Sequence, residues 1–498
     1  MLDFLTNEFF NIIMSEAYSV YMSGICGSGM KPLALLGSKM GYKIFGSDKA
    51  LLNINHHLYR IFKTYHIEAF GEPDLNLLEQ SDFYVYSSAI DVDHIERKKA
   101  IELQNQNKIQ IFHRMDFLNY LLRNHEIQLV VAGTHGKTST TSMIGWILRN
   151  LCLNPTIIVG GTPKYLPHSF QMGNGHIAVY ESDESDGSFL KSIAKYRLIL
   201  NIDQDHLNYY GSFENLIKSF YKFSLDCDVC VLNNDDLELA QFPKKSDKTY
   251  IAYGTHLPPQ KFYRYFFLGN LASNNVLKVQ IYKYDNLFYD SYNEGIHFKF
   301  PGSHFLKNGL GAIALVFSLL LEYPSLSIRS LGNEVTHRSS INSLIRILNR
   351  FPGVERRMDY LGKINGIDVY DDYGHHPNEI LNVLLALREK YNNRIAIVFQ
   401  PHRYTRTKEL AREFAKVLEY ADDVYLLPLY AADEKPISGV TSELIGRFVR
   451  KNVHYIENKD YDNIFFQNYD CVVFMGAGDI SQQIREYIIT KRPLQNVL

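Results

Sequence analysis

The segment that most limits how this chain can fold is IQLVVAGTHGKTSTTSMIGWIL, residues 127–148. Its apolar, β-branched start predicts a buried strand, and after a glycine turn the apolar residues recur at helical spacing. A strand that enters a helix through a glycine turn presents backbone N–H groups and the positive end of the helix to phosphate groups. The segment therefore predicts an α/β domain with a nucleotide site.

The residue types inside this turn suit a nucleoside triphosphate. Gly133 and Gly136 let the backbone approach an anion, and Lys137 can reach the terminal phosphates. The Thr138 hydroxyl can ligate Mg²⁺. The match to the usual phosphate-loop pattern is incomplete, because that pattern has glycine where Val131 stands. The prediction of nucleotide binding therefore depends on the strand, the turn and the helix occurring together.

Length and charge exclude several other classes of protein. A chain of 498 residues exceeds what one core usually serves and favours about three domains. The formal charge of −2 gives no basic surface, so we expect no nucleic-acid partner. No uninterrupted apolar run approaches about 18 residues, so we expect no stable membrane insertion and a cytoplasmic location. Residues 1–17 lack early Lys or Arg, which favours a short amphipathic extension, or an upstream start ahead of Met14, over a signal sequence.

The chain repeats the strand–turn–helix pattern in three stretches with no low-complexity linker between them. These stretches predict three α/β domains at residues 18–126, 127–350 and 351–498, after the extension at 1–17.

The N-terminal stretch has its own glycine turn. GICGSG at Gly24–Gly29 follows the first predicted strand, and the second predicted strand ends at Asp48. This arrangement suits a diphosphate at a helix start, with an acidic group at the end of the next strand. It fits NAD and a UDP-sugar equally well, so an NAD-dependent dehydrogenase remains an alternative at this point.

Polar residues follow two predicted strands of the central stretch. Glu181 ends one apolar run, and Asp205 and His206 follow another. Ligands of open α/β sheets gather at the carboxyl ends of strands. A carboxylate, an imidazole and a threonine hydroxyl can hold divalent cations against a triphosphate. Taken singly, a Glu181 that caps a turn and a surface His206 would be explained by folding alone.

Two motifs of the C-terminal stretch are harder to explain by folding. YDDYGHHPNEI at 370–380 contains adjacent histidines, which have no packing reason to be neighbours because consecutive residues face different ways. QPHRYTRT at 400–407 places Arg403 and Arg406 near a predicted helix start, where they repel each other unless an anion lies between them. Guanidinium groups suit carboxylate or phosphate. FPGVERRMDYLG at 351–362 adds two further arginines.

The cysteines do not form a disulfide framework. Cys227 and Cys230 make a C-x-x-C, but the chain has five cysteines, no second pair and no histidine near this one. Because VCVLNN reads as a strand, we expect buried thiols rather than a zinc site.

GTHGKT, ESDESDGSF, Asp205–His206, GVERRMDYLG, DDYGHHP and QPHRYTRT occur in the order seen in the Mur ligases, which this chain resembles from about Tyr18 to about Glu486. GTHGKT is shared throughout that family. The combination of GICGSGM with QPHRYTRT is narrower and resembles the branch that adds L-alanine. The recycling branch, which adds a tripeptide, is similar in the first two stretches but does not resemble this chain at HRYTRT.

The resemblance implies an N-terminal Rossmann-like domain that binds a UDP-sugar, a central domain like a P-loop ATPase, and a Rossmann-like C-terminal domain that closes over ATP and brings the amino acid. It implies an ATP-dependent ligase of peptidoglycan precursor synthesis with UDP-N-acetylmuramate and L-alanine as substrates. The implied cofactors are ATP and Mg²⁺, with Mn²⁺ as a substitute. A tripeptide ligase of murein recycling and a nonenzymatic ATP-binding switch stay as alternatives.

Roles transfer to individual positions of this sequence. The implied catalytic residues are Lys137, Glu181, His206, His375, Arg403 and Arg406. The implied nucleotide-binding residues are Gly133, Thr134, His135, Gly136, Lys137, Thr138, Asn308, Arg356 and Arg357. The implied metal ligands are Thr138, Glu181 and His206. The implied substrate-binding residues are Gly27, Ser28, Gly29, Asp48, Ser87, Ser88, Tyr373, His375, Arg403 and Arg406.

Three positions depart from the family pattern. Phe305 replaces the first Asn of an H-N-x-x-N motif, which leaves Asn308 as the residue near adenine. Asn208 stands where Asp is common, and His113 precedes Arg114 where two arginines are usual. We expect these changes to affect nucleotide affinity slightly and to leave the catalytic roles in place.

Overall fold

The computed structural model describes residues 18–52, 57–245, 248–258, 263–272, 275–284, 286–326, 337–432, 434–456 and 461–491. The predicted extension at 1–17 lies outside the described residues. Three sheets organise the described chain, each with parallel strand pairs, which confirms the predicted three-domain α/β fold. The exact domain boundaries stay a prediction.

The N-terminal domain is built on five strands. They are β1 Ser19–Ser23, β2 Lys43–Ser47, β3 Glu68–Phe70, β4 Phe83–Tyr86 and β5 Gln110–His113. The helices are α1 Met30–Lys39, α2 His57–Thr64, α3 Leu75–Glu79, α4 Ile95–Asn105 and α5 Arg114–Leu122, with a 3₁₀ turn at Lys49–Leu52. The sheet order is β3-β2-β1-β4-β5, and all the pairs are parallel.

A buried carboxylate holds the carboxyl edge of this first sheet together. The register places Ser23 at the end of β1 beside Ser47 at the end of β2. Glu96 is fully buried and accepts hydrogen bonds from Ser23, Ser47 and Tyr21, the last at 2.6 Å. Because three hydroxyl groups donate to its oxygens, this polar side chain can stay inside the domain.

The central domain contains the largest sheet. Its strands are β6 Ile127–Ala132, β7 Thr156–Ile158, β8 Phe170–Gln171, β9 Ile177–Glu181, β10 Tyr196–Ile199, β11 Val229–Asn233, β12 Tyr250–Gly254, β13 Tyr263–Ala272, β14 Val276–Lys283 and β15 Asn286–Ile296. Its helices are α6 Lys137–Asn150, α7 Leu207–Tyr210, α8 Phe213–Leu225, α9 Ser303–Glu322 and α10 His337–Leu348, with 3₁₀ turns at Ser188–Lys191 and Leu239–Lys245. The sheet order is β15-β14-β13-β12-β11-β10-β6-β9-β7-β8.

The parallel pairs of β6 with β9 and β10 bring the predicted polar residues to one edge. Glu181 at the end of β9 pairs with Val131, and Ile199 at the end of β10 pairs with Ala132. The turn that begins at Gly133 therefore starts between the carboxyl ends of these two neighbouring strands.

The C-terminal domain has a six-stranded sheet. Its strands are β16 Asp359–Ile364, β17 Ile367–Asp372, β18 Ile395–Phe399, β19 Asp423–Leu426, β20 Asn452–Tyr455 and β21 Cys471–Met475. Its helices are α11 Pro377–Lys390, α12 Tyr404–Leu418, α13 Ser442–Gly446, α14 Asp462–Phe465 and α15 Ile480–Lys491. The order is β16-β17-β21-β18-β19-β20, with only the β16–β17 pair antiparallel.

Among the described residues one helix, α9, is long and apolar enough to cross a membrane by length and composition. Of its most apolar stretch, 78% is buried within the protein. A helix that is apolar on all sides is also what the core of a large domain requires.

The chain divides into two compact units. The first contains the described residues up to Leu268 with Gln280–Asp290 and Gly311–Leu348, and the second contains Gly269–Val279, Ser291–Leu310 and the residues from Asn349 onward. In the first unit, one cluster of buried apolar side chains continues from the N-terminal sheet into the central sheet. The second unit has a separate apolar cluster around β17, β18 and β21.

Candidate active site

The nucleotide turn has the backbone conformation that its glycines permit. Gly133 has φ +136° and Gly136 has φ +85°, a region that glycine adopts freely. A Cβ on Gly133 would lie 3.0 Å from Leu200 Cβ and 3.1 Å from the Asn201 backbone nitrogen. Gly136 is the N-cap of α6. The turn therefore packs tightly against the segment that follows β10 and points the start of α6 at the site.

Lys137, the first residue of α6, is held by backbone and by acid. Its Nζ donates to the carbonyl oxygens of Gly133 at 2.8 Å and Thr134 at 3.3 Å, and to Glu184 Oε2 at 2.6 Å. Asp183 Oδ1 lies 3.6 Å away. Burial opposes the charge of Lys137, but the two carboxylates outweigh it and raise the pKa above its usual value. Lys137 is therefore a fixed cation.

Thr138 is joined to the strand beside it. Its Oγ1 donates to Glu181 Oε2 at 2.8 Å, and the other Glu181 oxygen accepts from the backbone N–H of Gly160. The structure thus brings together two of the three predicted metal ligands.

The third predicted ligand, His206, lies beside a different acid. His206 Nε2 is 3.8 Å from Glu184 Oε1 and 3.5 Å from Asp205 Oδ2. Glu184 is almost fully buried, and among the described residues its Oε1 has no hydrogen-bond partner. Burial raises the pKa of Glu184, although Lys137 opposes the shift. A buried carboxylate oxygen without a donor, 3.8 Å from an imidazole nitrogen, is a group that a nearby divalent cation such as Mg²⁺ would satisfy.

The rest of the nucleotide turn is braced by the loop after β10. The Asn201 side chain accepts from the His135 N–H at 2.8 Å and donates to the His135 carbonyl at 3.0 Å. His135 Nε2 lies 3.0 Å from Asp203 Oδ2, and the Thr134 hydroxyl accepts from the Asp203 N–H at 3.0 Å. These bonds hold the turn in one conformation before any ligand binds.

The N-terminal glycine turn has a basic group at its helix start. A Cβ on Gly29 would lie 2.8 Å from an Arg114 guanidinium nitrogen. Asp48 accepts from the backbone N–H groups of Cys26 at 3.0 Å and Ala50 at 2.9 Å, so it ties the turn to the end of β2. Gly27 accepts at its carbonyl oxygen from the N–H of Met30 at 3.0 Å. The turn therefore combines a helix start with a guanidinium group.

The predicted residue Ser88 belongs to a polar cluster. Its Oγ lies 2.9 Å from His113 Nε2 and donates to Asp186 Oδ2. Arg114 donates to Asp186 at 3.3 Å. Although burial opposes it, the bonds from His113 and Arg114 hold the pKa of Asp186 well below its usual range. His113, which stands where the family usually has arginine, therefore stabilises this polar cluster. Of the other predicted serines, Ser28 lies in the N-terminal glycine turn and Ser87 directly precedes Ser88. The Ser87 carbonyl accepts from the Ile90 N–H at 3.0 Å.

In the second unit, the register of the sheet gathers the other motifs. Asp372 pairs with Met475, and Met475 pairs with Phe399, so β17, β21 and β18 end in one row. The segments DDYGHHP, GAGD and QPHRYTRT leave the sheet from this row. Asp372 accepts from the N–H groups of Met358 and Gly374, both at 2.7 Å. Burial raises the pKa of Asp372 to about 6.

His375 is oriented by its own loop. Its Nδ1 lies 3.1 Å from the Tyr373 carbonyl oxygen, and its backbone N–H donates to Glu379 Oε2 at 3.0 Å. Burial lowers the pKa of His375 to about 4. The ring is therefore neutral at physiological pH, and with Nδ1–H directed at the Tyr373 carbonyl its Nε2 can accept a hydrogen bond.

Arg356 and Arg357 flank the predicted residue Tyr373. The two guanidinium carbons lie 4.8 Å and 5.2 Å from the centre of the Tyr373 ring. Arg356 donates to the carbonyl oxygens of Gly476 at 2.7 Å and Gly478 at 3.2 Å, and among the described residues its buried Nε has no partner. The Nε–H of Arg356 is therefore a buried donor that an anion could satisfy.

The HRYTRT motif opens α12. Arg403 has φ +75° and an exposed side chain, and Arg406 is partly buried one turn further on. The His402 ring stacks on Tyr430 with centres 5.6 Å apart. Burial, together with His375 and the nearby arginines, lowers the pKa of His402 to about 3. The positive charge predicted for this motif therefore resides on the arginines.

The departure at Phe305 is explained by packing. Phe305 is buried, with its ring 4.9 Å from that of Phe300 and 4.1 Å from that of His304. It contributes to an aromatic cluster and makes no polar contact. Asn308 lies one turn along α9 and is partly buried, so it remains the predicted residue of this motif.

Two acids near Lys137 were missed from the sequence, namely Asp183 and Glu184. The signal was present, because the acidic run ESDESD contains both. The sequence also predicts two buried thiols at the C-x-x-C. Cys230 is buried, but Cys227 is only partly so, and this corrects that expectation.

The comparisons with known proteins agree with this geometry. Residues 19–126 match the Mur ligase family, catalytic domain; 131–316 match the Mur ligase middle domain; and 356–478 match the Mur ligase, glutamate ligase domain. A UDP-N-acetylmuramate–L-alanine ligase of Dictyoglomus turgidum is 35% identical over 94% of this chain and 96% of its own length. One from Hydrogenobaculum is 33% identical over 94% and 97%.

Solved structures show the same fold. A UDP-N-acetylmuramate-alanine ligase from Thermotoga maritima superposes with a TM-score of 0.72 at 26% identity, covering 95% of this chain and 98% of that one. A murein peptide ligase from Psychrobacter arcticus gives 0.65 at 19% identity, covering 97% and 100%, and this likeness concerns the fold alone. The phosphate turn and the three matched domains define an ATP-dependent ligase that forms a carbon–nitrogen bond. The chain belongs to the Mur ligase family.

Proposed function

We propose that this protein joins L-alanine to the lactyl carboxylate of UDP-N-acetylmuramate, using ATP, in peptidoglycan precursor synthesis. The observation that carries the proposal is the run of relatives with that activity in their names, 31–35% identical over 93–96% of this chain. The two groups of site residues described above supply the chemistry that such a reaction needs.

A free carboxylate is a poor electrophile, so amide formation requires its activation. A lactyl carboxylate oxygen attacks the γ-phosphorus of ATP, and the bond to the β-phosphate oxygen breaks to release ADP. The alanine nitrogen then attacks the carbonyl carbon of the acyl phosphate. The tetrahedral intermediate expels inorganic phosphate, and the nitrogen loses a proton. Catalysis of phosphoryl transfer is mainly positioning and charge stabilisation.

In the first unit, Lys137 would neutralise charge on the β- and γ-phosphates, with the N–H groups of the Gly133–Gly136 turn around them. Thr138, Glu181 and His206, the last with the Glu184 carboxylate beside it, would hold Mg²⁺, which supplies positive charge to the triphosphate when bound. Mn²⁺ would fit the same oxygen and nitrogen donors. The bonds that Lys137 makes to its own turn keep its ammonium group in place for this role.

In the second unit, Arg403 and Arg406 would bind the carboxylate groups of the sugar and of the amino acid. His375, neutral and held by the Tyr373 carbonyl, would accept or orient the proton of the attacking amine. Asn308, Arg356 and Arg357 would contact the nucleotide.

The N-terminal turn at Gly27–Gly29, with Arg114 beside it, would bind the UDP diphosphate.

The alternatives lack support from particular residues. A dehydrogenase would need a hydride-transfer site, and it would leave the GTHGKT turn and the DDYGHHP and QPHRYTRT motifs without a role. A nonenzymatic ATP switch would not need His375, Arg403 and Arg406. We propose a cytoplasmic location, because UDP-sugars and ATP are cytoplasmic substrates. We propose that neither nucleic acid nor a membrane is a partner.

The test is phosphate release from ATP and Mg²⁺ in the presence of UDP-N-acetylmuramate. L-alanine, D-glutamate and L-alanyl-γ-D-glutamyl-meso-diaminopimelate are added in separate reactions. Release with L-alanine alone is the expected result. Release only with the tripeptide would replace the proposal by a recycling ligase, and no release with any of them would favour the switch.

A further inference from the structure

A second group of reactive side chains lies in the central domain, outside the residues assigned above. Cys227 precedes β11 and Cys230 is its second residue. Strand β11 runs parallel to β10, which runs parallel to β6. The two cysteines are therefore at the amino edge of the sheet, opposite to the carboxyl edge at which the nucleotide turn begins.

An ammonium group is fixed against the first of these thiols. Lys248 Nζ lies 3.1 Å from Cys227 Sγ and also donates to the carbonyl oxygens of Cys227 and Leu225, the latter at 3.1 Å. Cys230 is buried and lines the same cavity as Cys227, and the Cys227 sulfur also contacts the Ser224 carbonyl oxygen at 3.3 Å. The thiols of Cys227 and Cys230 and the ammonium group of Lys248 therefore lie along one cavity.

The site is reachable by small molecules. Cys227 is partly exposed and lines a cavity of about 460 Å³ together with Cys230, Lys248, Arg264 and Glu322. All of these residues belong to the first compact unit. The cavity can admit a reagent of a few atoms to the Cys227 sulfur, which is the more exposed of the two.

We propose that Cys227 and Cys230 form a thiol oxidation site at which a peroxide converts the pair into a reversible disulfide. The Cys227 thiolate attacks one peroxide oxygen, the O–O bond breaks, and the other oxygen leaves as hydroxide or alkoxide. Cys227 is then a sulfenic acid. The Cys230 sulfur attacks it, the S–S bond forms, and the S–O bond breaks to release water with the Cys230 proton. The two thiols supply the two electrons that reduce the peroxide.

The surrounding charges set the order of the two steps. The hydrogen bond from Cys230 lowers the pKa of Cys227 to about 7 against the effect of burial, with Lys248 and Arg197 adding to the shift. Asp228, Glu322 and Arg264 are the other charged residues along the cavity. Burial raises the pKa of Cys230 well above its usual value. Cys227 is therefore the thiolate that attacks, and Cys230 is the thiol that resolves.

The other partly exposed cysteine in the first unit has the opposite environment. Burial and the nearby Asp48 raise the pKa of Cys26. Cys152 is exposed and is not part of a C-x-x-C pair. These two cysteines are internal references for the reaction at Cys227.

The test treats the full chain with limiting hydrogen peroxide, blocks the remaining thiols with iodoacetamide, and maps the cysteines by peptide mass spectrometry. The expected product is a Cys227–Cys230 disulfide that forms before any other cysteine is oxidised and is reversed by dithiothreitol. The Cys230→Ser variant should stop at a sulfenic acid on Cys227 that dimedone traps. The Cys152→Ser variant is the matched control and should behave like the parent chain.

The role of Lys248 has a separate readout. In the Lys248→Gln variant, which keeps a donor for the backbone oxygens, alkylation of Cys227 at pH 7 should be about threefold slower, and its pH midpoint should rise from about 7. Oxidation of Cys26 or Cys152 first would overturn the proposal. It would also be overturned if Cys227 were oxidised in the parent chain without a disulfide, or if Lys248→Gln left the alkylation profile unchanged.

Discussion

Lys137 is held by a carboxylate that is almost fully buried, so either residue alone is a poor target for mutation. Lys137→Met leaves the Glu184 charge without its partner, at a cost of about 3–5 kcal/mol in the free energy of unfolding. The double variant Lys137→Met/Glu184→Gln removes both charges and should keep most of the stability. We expect it to lose at least about 10²–10³ in turnover, because it removes the Lys137 charge contact and also the Glu184 carboxylate beside His206.

The measurement compares phosphate release and urea unfolding for both single variants and the double variant. Lys191→Met is the matched control, because it breaks the exposed ion pair with Asp116 and should change neither quantity appreciably. A double variant with the turnover of the parent chain would contradict the role of Lys137.

Histidine burial in the second unit predicts how stability depends on pH. Burial lowers the pKa of His304 to about 4, against about 6.5 in an unfolded chain. Above pH 6.5 the residue is neutral in both states, so its contribution to stability is complete. As the pH falls below 6.5 the unfolded state binds the proton first, and stability is lost until about pH 4. His375 and His402 act in the same direction, whereas Asp372, with its raised pKa, acts in the opposite one.

The contribution of His304 is measured by comparing urea unfolding of the parent chain and of a His304 variant between about pH 4.5 and about pH 7.5. In His304→Gln the unfolding free energy should fall less steeply with acid, because about one proton fewer is taken up on unfolding near pH 5. Parallel curves for the variant and the parent chain would show that burial of His304 does not perturb its titration.

The nucleotide turn depends on Gly133 in two ways, because the position has a positive φ and leaves no room for a side chain. Gly133→Ala would force a side chain into a positive-φ conformation and place its Cβ 3.0 Å from Leu200 Cβ. We expect this variant to lose about 2 kcal/mol of stability and most of its affinity for ATP, because the turn must move away from β10. Equilibrium binding of ATP and thermal unfolding would measure the two effects.

Gly175 allows the effect of backbone strain to be measured without the effect of close packing. Gly175 has φ +87°, and a Cβ added there would meet no atom within 4 Å, so Gly175→Ala adds strain alone. It should lose about 1 kcal/mol of stability and leave ATP affinity unchanged. Equal losses of ATP affinity in the two variants would contradict the argument from packing.

The elements that follow periodic patterns could be predicted, and the contacts between distant loops could not. The strand–turn–helix at Ile127–Leu148 and the strand ending at Glu181 follow from apolar, β-branched runs and from helical spacing. The choice of Glu184 as the partner of Lys137 does not, because ESDESD is a non-periodic loop 47 residues away. Likewise, the burial of Phe305 depends on Phe300 and His304 around it, which no local pattern specifies.

At the scale of the whole molecule, the single tryptophan reports on one unit. Trp146 lies in α6, and its indole N–H donates to the Ile347 carbonyl at 2.8 Å, within the first unit. Asp186→Asn weakens the contacts of Ser88 and Arg114 with the central domain, which should remove about 2 kcal/mol. We expect the unfolding midpoint followed by Trp146 fluorescence to fall by several degrees.

The control is Asp116→Asn, which removes an exposed carboxylate and should leave that midpoint in place. Circular dichroism, which follows both units, should show a smaller average shift than fluorescence for Asp186→Asn. An unchanged fluorescence midpoint would contradict the role of Asp186 in joining the two domains.

The apolar cluster that runs from the first sheet into the second also limits how such an enzyme can be recombined. The turn expected to hold the sugar nucleotide and the turn expected to hold ATP stand on one shared interior. A chimaera that takes its first 126 residues from a relative with about one third identity would inherit mismatched side chains along that shared surface. Substrate preference in this lineage is therefore easier to alter by changing loops than by exchanging the first domain.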